Sequence, residues 1–144
     1  MHFCSKKAKK NKFFDKYSNK NHMKAMIFAA GMGTRLKPIP KALLPIAGKT
    51  LLEWQIEKLR AADITDIVIN IHHFGQQIID FCAAHNNFGC HITFSDERAE
   101  LLETGGGLKK ASPLLTSLVE GEEPILVLNV DVLSNIDLKA FIGS

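Results

Sequence analysis

The sequence predicts an α/β domain built on a doubly wound, mostly parallel sheet, and three observations support this prediction. Short apolar runs alternate along the chain with segments in which apolar residues recur at helical spacing. The runs lack the polar alternation of half-exposed strands, which indicates strands that are buried on both faces. Glycines or polar residues follow three of the runs, as expected where parallel strands end at a ligand-binding edge.

The first half of the chain predicts two strands and two helices. Met26–Ala29 is too short and too apolar for an amphipathic helix, so it predicts the first buried strand. Thr50 predicts a helix start, with Glu53 three residues later completing a capping box. The β-branched run Asp66–Ile71 predicts the second strand. Phe74–Ala84 predicts the next helix.

The second half continues the alternation of strands and helices. Cys90–Ser95 alternates in polarity and predicts a third strand. A short helix is predicted from a Thr104 cap through Leu108, with a stop near Pro113. Pro124–Val130 predicts a fourth, fully buried strand, so the carboxylate that follows it is expected at the edge of the sheet.

Charge is distributed unevenly along the 144 residues, whose formal net charge is +3. The first 24 residues hold eight lysines and one acidic residue, and the remainder is net acidic. Residues 1–22 therefore predict a lysine-rich, disordered extension ahead of a start at Met23. Its aromatic residues among lysines leave nucleic acid or an anionic membrane open as minor alternatives. No run reaches the ~20 apolar residues of a membrane span, so the cytoplasm is the expected location.

The three cysteines indicate neither a disulfide framework nor a structural zinc site. Cys4, Cys82 and Cys90 are odd in number and lack C-x-x-C spacing. A metal cluster of Cys82 and Cys90 with His85 and His91 is conceivable. It is disfavoured, because Cys82 lies in an apolar helical stretch and Cys90 lies next to a predicted strand.

The segment Ala25–Pro45, AMIFAAGMGTRLKPIPKALLP, places a glycine turn after the first strand. Glycines let backbone N–H groups approach phosphate oxygens, and Arg35 and Lys41 can neutralise phosphate charge. No lysine followed by Ser or Thr closes the turn as in a P-loop. Leu36 stands where a dinucleotide-binding fingerprint has its third glycine. A polyphosphate site of another type is therefore predicted.

Two further features are suited to nucleotide chemistry. The run Leu101–Lys110, LLETGGGLKK, places three glycines at a helix start, where N–H groups are free and a base or ribose can approach closely. Asp131 follows the fourth strand, and a carboxylate there suits Mg²⁺. Taken alone, Asp131 is more typical of a turn or helix cap. His72 and His73 are interpreted as loop structure or ligand contacts.

These motifs, G-x-G-T-R, P-K-x-L and L-E-T-G-G-G, resemble those of the sugar-1-phosphate nucleotidylyltransferases. The glycine run is most similar to the muramic-acid-phosphate and mannose-phosphate branches. The resemblance covers Lys24 to about Phe141 and implies the amino-terminal part of a Rossmann-like nucleotide-diphospho-sugar transferase domain over residues 23–144. It implies transfer of a nucleotidyl group from a nucleoside triphosphate, UTP favoured and GTP next, to a sugar 1-phosphate, with Mg²⁺ as cofactor.

The resemblance also implies roles for particular residues. Arg35 would hold the triphosphate and stabilise the leaving pyrophosphate, Lys41 would contact the phosphate near the reacting centre, and Asp131 would hold Mg²⁺. The remaining expected nucleotide-binding residues are Ala29, Ala30, Gly31, Met32, Gly33, Thr34, Thr104 and Gly105.

Two departures from the family pattern keep an alternative open. The loop between Arg35 and Lys41 is shorter than usual and stiffened by prolines, and the resemblance covers only the amino-terminal half of a family domain. Val130 stands before Asp131 in place of the usual glycine, but it need not displace the carboxylate. The alternative is a non-catalytic or decayed nucleotide-binding fragment. Because the resemblance reaches only half a family domain, self-association through an exposed sheet edge is also expected.

Overall fold

The computed structural model describes residues 23–31, 38–100, 102–116 and 124–143. The extension 1–22 and the segment that contains Arg35 lie outside this part of the chain. Short 3-10 turns occupy Lys41–Leu43 and Asn86–Gly89. The strands and helices are β1 (Lys24–Phe28), β2 (Pro45–Ile46), β3 (Lys49–Thr50), α1 (Leu51–Ala61), β4 (Asp66–Ile71), α2 (Gly75–Ala84), β5 (His91–Asp96), α3 (Thr104–Leu115), β6 (Ile125–Asn129) and α4 (Leu138–Gly143).

The main sheet is parallel, with strand order β5-β4-β1-β6. The chain therefore starts in the middle of the sheet, works outward to one edge and crosses back to the other, which is the doubly wound topology. Phe28 lies level with Asn70 of β4 and with Asn129 of β6. The strand ends are thus in register, so the segments that follow them meet at one edge. The fold class predicted from the sequence is confirmed.

Helices cover both faces of the sheet, because alternate strand residues point to opposite sides. Ile27 and Ile69 belong to the larger core cluster, with side chains from α1 and α2. Met26 and Val68, their neighbours in sequence, belong to a second cluster with Ala111 and Leu115 of α3. All four strand side chains are inaccessible to solvent. Burial on both faces explains why the strand sequences are apolar throughout.

The start of α1 is fixed by local interactions that the sequence predicts. Thr50 Oγ1 accepts a hydrogen bond from the Glu53 backbone N–H at 3.1 Å, which confirms Thr50 as the N-cap. The antiparallel pair β2–β3 precedes the helix and turns through Ala47 and Gly48, both at positive φ. Trp54 Nε1 donates to the Ile46 carbonyl at 2.8 Å. This bond ties the hairpin to the helix.

The prediction that the fourth strand is fully buried is wrong. The strand is shorter, Ile125–Asn129, and its side chains are half-buried or exposed, with Val127 42% exposed. Among the described strands, β6 pairs with β1 alone and forms one edge of the sheet. An apolar run shows that a strand is suited to burial, but neighbouring elements decide how much of it is covered.

The helix predicted to end between Leu108 and Pro113 is longer than expected. It runs to Leu115 and contains Pro113, and its N-cap is Glu103, whose side chain makes no capping hydrogen bond. Proline removes the backbone bond to the residue four positions earlier, Lys109. Lys109 is exposed, so water can satisfy its carbonyl. The helix therefore continues to bury Ala111 and Leu115 beneath the sheet.

The two cysteines in the described part of the chain differ in burial, and they are expected to differ in reactivity. Burial raises the pKa of the Cys82 thiol to about 11. Burial also raises the pKa of Cys90, against an opposing effect of Arg60, but Cys90 is partly accessible. Because the thiolate is the reactive form, iodoacetamide at pH 8 should alkylate Cys90 at least about tenfold faster than Cys82. Peptide mass spectrometry measures both rates, and equal rates would contradict this burial.

No helix in the described ranges combines the length and apolar character needed to cross a membrane.

Candidate functional site

An open cavity of about 590 Å³ lies at the carboxyl edge of the sheet. Three strand ends and the segment that leads into α3 form its walls. The lining residues are Phe28, Ala30, Gly31, Lys41, Asn70, Leu102, Glu103, Thr104, Gly105, Asn129, Val130 and Asp131. This edge is where ligands bind in open parallel sheets.

Six of the residues predicted for the site line this cavity: Ala30, Gly31, Lys41, Thr104, Gly105 and Asp131. Ala29 lies behind the wall, 1% exposed, and its N–H donates to the Asn70 side chain. Met32, Gly33, Thr34 and Arg35 lie outside the described residues. His72 and His73 are not among the lining residues. The structure thus brings together residues as far apart in sequence as Ala30 and Asp131.

Lys41 and Asp131 form an ion pair across the cavity wall. Lys41 Nζ lies 2.8 Å from Asp131 Oδ2, and each side chain is about two-fifths exposed. The Lys41 backbone N–H donates to the Gly31 carbonyl at 3.2 Å, which anchors the lysine beside the glycine turn. The Val130 N–H donates to the Phe28 carbonyl at 3.1 Å, so Asp131 lies immediately beyond the last link between β6 and β1.

The ion pair should be visible in the titration of Asp131. The hydrogen bond from Lys41 lowers the pKa of this carboxyl, against a smaller opposing effect of burial. A lowered pKa means that the pair stabilises the fold above the ordinary aspartate pKa and that this contribution is lost as pH falls through the lowered value. NMR titration of the side-chain carboxyl should show Asp131 ionised to lower pH than an ordinary aspartate. Lys41→Met should raise its pKa, and an unchanged pKa would show that the pair does not form in solution.

The amino-terminal end of α3 opens onto the cavity. Gly105 has open space where a Cβ would be, and Thr104 is exposed. The first N–H groups of a helix have no partner within the helix and carry partial positive charge, so they favour anions such as phosphate. Together with Lys41, this helix start gives the cavity two features that suit a phosphorylated ligand.

Gln55 is a site-supporting residue that the sequence analysis did not identify. It lies on the buried side of α1, and its Nε2 donates to the carbonyls of Asn129, Val130 and Val132 at 3.2, 3.4 and 2.8 Å. These carbonyls flank Asp131. The available signal was a polar residue within the apolar stripe of the helix, four positions after Leu51 and four before Leu59.

The second set of supporting residues is a polar pair at the back of the cavity. Asn70 Oδ1 accepts from the Ala29 N–H at 2.6 Å, and Asn70 Nδ2 donates to Glu97 Oε1 at 3.1 Å. Asn70 is 3% exposed and Glu97 is fully buried. The sequence places Asn70 near the end of the second predicted strand, at the ligand-binding edge of the sheet, but assigns it no role. Glu97 was not identified, because it lies in the charged run SDERAE, which is typical of a surface.

The donor set at the cavity fits Mg²⁺ held largely by substrate. No cluster of three or more His, Cys, Asp or Glu side chains occurs within the described ranges. Asp131 offers one exposed carboxylate, with Oδ1 outside the bond to Lys41. Mg²⁺ in nucleotide enzymes is commonly bound by one or two carboxylates together with phosphate oxygens and water. One carboxylate beside a helix start whose free N–H groups favour anions is consistent with that mode.

Comparison with known proteins decides the family. The profile of the MobA-like NTP transferase domain matches residues 25–136. The chain belongs to this family. The match spans all four strands of the main sheet and ends beyond Asp131. The resemblance to nucleotidylyltransferases drawn from the motifs is confirmed at this level.

Curated relatives of this MobA-like domain are sugar-phosphate nucleotidylyltransferases. N-acetylmuramate alpha-1-phosphate uridylyltransferase of Neisseria meningitidis is 46% identical over 122 residues, which cover 82% of the chain and 51% of the relative. Mannose-1-phosphate guanyltransferase of Gibberella zeae is 39% identical and covers 83% and 34%, respectively. The chain spans about half, or less, of the length of the curated relatives it matches.

Solved structures agree with the fold. The crystal structure of HddC from Yersinia pseudotuberculosis complexed with GMP-PN superposes with a TM-score of 0.69 at 31% identity, over 83% of the chain and 52% of HddC. A Bacillus anthracis glucose-1-phosphate thymidylyltransferase structure, 24% identical, has the same TM-score and supports the fold alone. The central parallel sheet with flanking helices is therefore the nucleotide-diphospho-sugar transferase fold.

Proposed function

We propose that this MobA-like domain transfers a nucleotidyl group from a nucleoside triphosphate to a sugar 1-phosphate, releasing pyrophosphate. The observation that carries the proposal is the convergence of Lys41, Asp131 and the glycine-rich start of α3 on one cavity. Family membership adds the reaction class, because the relatives are named as uridylyl- and guanylyltransferases.

The residues of the cavity divide the work of binding the triphosphate. The N–H groups at the start of α3 and those of Ala30 and Gly31 bind polar groups of the nucleotide. Lys41 neutralises phosphate charge near the reacting phosphorus, and Arg35, predicted from the G-x-G-T-R motif, holds the β- and γ-phosphates. Asp131 would hold Mg²⁺, which when bound offsets phosphate charge.

The reaction needs positioning and charge neutralisation more than proton transfer. An oxygen of the sugar 1-phosphate attacks the α-phosphorus, a new P–O bond forms, and the bond to pyrophosphate breaks. A phosphate monoester is already anionic near neutral pH, so no general base is required. Lys41 stabilises the charge that shifts onto phosphate oxygens as the bonds exchange. His72 and His73 therefore transfer no proton in this scheme.

The favoured nucleotide is UTP, with GTP next. The support is the uridylyltransferase name of relatives that are 46% and 42% identical, ahead of guanylyltransferases at 39%. N-acetylmuramic acid 1-phosphate is the corresponding acceptor, which would make the product a cell-wall precursor. A cytoplasmic location follows from this proposal, because its substrates are cytoplasmic metabolites.

Phosphorus-31 NMR tests the proposal with the full 144-residue chain. UTP and N-acetylmuramic acid 1-phosphate are incubated with Mg²⁺, and a parallel sample contains GTP and mannose 1-phosphate. The expected result is the appearance of pyrophosphate and nucleoside-diphosphate-sugar signals in equal amounts. In a second sample, inorganic pyrophosphatase converts the pyrophosphate to orthophosphate and draws the reaction forward. The sugar-nucleotide signal in that sample should be at least as large as without pyrophosphatase. Saturable UTP binding without either product would contradict transfer by this chain.

Nucleotide binding without transfer is the second candidate function. Exposed apolar side chains directly after Asp131 favour it, since Val132 and Leu133 are 59% and 45% exposed. Neither residue lines the cavity, so among the described residues the chain directly after Asp131 adds no wall for a sugar-phosphate pocket. The absence of product in the NMR experiment, with UTP binding retained, would select this function over transfer.

We also propose self-association. Val127 on the edge strand is 42% exposed, and the segment after Asp131 exposes further apolar side chains, with Ile136 at 55% exposure. Unpaired edges and apolar patches of this kind promote association. Sedimentation velocity should show a concentration-dependent increase in mass that Val127→Lys reduces. A single monomer boundary at all concentrations would contradict the proposal.

A further inference from the structure

Glu97 is a fully buried carboxylate directly behind the wall of the cavity. Its Oε1 accepts from Asn70 Nδ2 at 3.1 Å, while its Oε2 has no hydrogen-bond partner among the described residues. Its backbone N–H donates to the Ile71 carbonyl at 2.8 Å, so the residue is anchored where β4 ends. Burying a carboxylate with one oxygen unsatisfied is costly, and such a group calls for an explanation.

The hydrogen bonds around Asn70 allow one orientation of its amide. The Ala29 backbone N–H can only donate, so Asn70 must turn its oxygen toward Ala29. The amide NH₂ then faces Glu97, whose Oε1 accepts. The two neighbours therefore agree on one orientation, because the Ala29 N–H needs an acceptor and the Glu97 carboxylate needs a donor.

The third glycine of the LETGGG run makes room for Glu97. A Cβ at Gly107 would lie 2.8 Å from Glu97 Oε1, 3.3 Å from Phe28 Cε1 and 3.5 Å from Asn70 Nδ2. At Gly105, two positions earlier, a Cβ would meet no described residue within 4 Å outside the helix's own backbone. The glycines of one run thus have different tasks: Gly105 keeps the cavity open, and Gly107 lets α3 approach the buried carboxylate.

We propose that Glu97 is a positioning residue of the cavity. Its carboxylate orients Asn70, which holds the Ala29 N–H at the end of β1, and its contact at Gly107 sets the position of α3. One side chain thereby fixes the relative positions of the glycine turn after β1 and the helix start that faces it. The link to nucleotide affinity rests on the proposed function, whereas the orientation of Asn70 does not.

The test exchanges the amide and the carboxylate. Asn70→Asp places two carboxylates about 3 Å apart, where like charges repel. Combining it with Glu97→Gln restores a donor–acceptor pair of reversed polarity and leaves an oxygen for the Ala29 N–H. The variants are Asn70→Asp, Glu97→Gln and the double variant, with Glu100→Gln as matched control because Glu100 is an exposed acid of the same segment.

Two readouts are taken below the melting temperature of every variant: the Ala29 amide proton shift by NMR and UTP affinity by calorimetry. We expect Asn70→Asp to displace the Ala29 resonance and to weaken UTP binding about tenfold or more. The double variant should return the Ala29 resonance close to its original position and restore the UTP affinity to within about threefold of the unsubstituted chain. Glu100→Gln should change neither readout.

A double variant no better than Asn70→Asp in both readouts would overturn the proposal, as would Asn70→Asp without any effect. If Asn70→Asp does not fold, a folded double variant with a native-like Ala29 resonance supports the pairing, and an unfolded one contradicts it. If the unsubstituted chain binds no UTP, the proposed function fails, and the Ala29 resonance alone decides the orientation of Asn70.

Discussion

Asp131→Asn is expected to lower the rate of nucleotidyl transfer about a hundredfold and to remove most of the Mg²⁺ dependence of UTP binding. Asparagine keeps the shape of the side chain but removes the charge that Mg²⁺ and Lys41 both require. Turnover is measured by pyrophosphate release, and binding by calorimetry with and without Mg²⁺. Where turnover is undetectable in the unsubstituted chain, the loss of Mg²⁺-dependent binding is the measured effect.

Two further variants separate this effect from a general loss of charge. Asp137→Asn is the matched control, because Asp137 is an exposed aspartate whose side chain caps α4, a role that asparagine also fills. It should leave binding unchanged. Lys41→Met should weaken triphosphate binding at every Mg²⁺ concentration while the Mg²⁺ dependence persists. If Asp131→Asn and Asp137→Asn have equal effects on turnover and on the Mg²⁺ dependence of UTP binding, Asp131 has no special role.

Gly107→Ala is expected to destabilise the fold by about 1–3 kcal/mol. The new methyl group would lie 2.8 Å from Glu97 Oε1, closer than van der Waals contact allows, and the carboxylate has little room to retreat because Glu97 is fully buried. Alanine normally stabilises a helix relative to glycine by up to about 1 kcal/mol, so the predicted sign is opposite to the helix-propensity effect. Urea denaturation followed by circular dichroism measures the change.

Gly105→Ala is the control for this prediction, since it makes the same substitution in the same helix. Among the described residues, no atom outside the helix's own backbone lies within 4 Å of the added Cβ, so this variant should be as stable as the unsubstituted chain or more stable. Equal stabilisation of the fold by both substitutions would show that α3 does not pack closely against Glu97.

Sequence signals predicted the fold because its elements are set by local patterns. The runs that became β1 and β4 are apolar at every buried position except Asn70, and Thr50 caps α1 through a hydrogen bond to a residue three positions later. The burial of β6 was predicted wrongly, because it depends on neighbours beyond the strand itself. The predicted end of α3 was also wrong, since the packing of Ala111 and Leu115 outweighs the backbone hydrogen bond that Pro113 removes.

The part of the candidate site that consists of sequence motifs could be predicted from the sequence. Gly31, Lys41, Thr104 and Asp131 belong to recognisable motifs or strand ends, and all four line the cavity. The supporting residues were not predictable, since their partners are far away in sequence: Glu97 pairs across 27 positions, and Gln55 bonds carbonyls more than 70 positions away. A buried polar side chain has a recognisable purpose only when its partners are known.

Calorimetry of UTP binding to the 144-residue chain, with and without Mg²⁺, shows whether a nucleotide binds at the carboxyl edge of the sheet. Titrations with GTP and CTP under the same conditions identify the base, and Asp131→Asn shows whether the heat arises at the cavity. We expect saturable binding of one triphosphate, strengthened by Mg²⁺ and weakened by Asp131→Asn. Absence of binding for all three triphosphates, or binding indifferent to both Mg²⁺ and Asp131, would contradict a nucleotide site at this edge of the sheet.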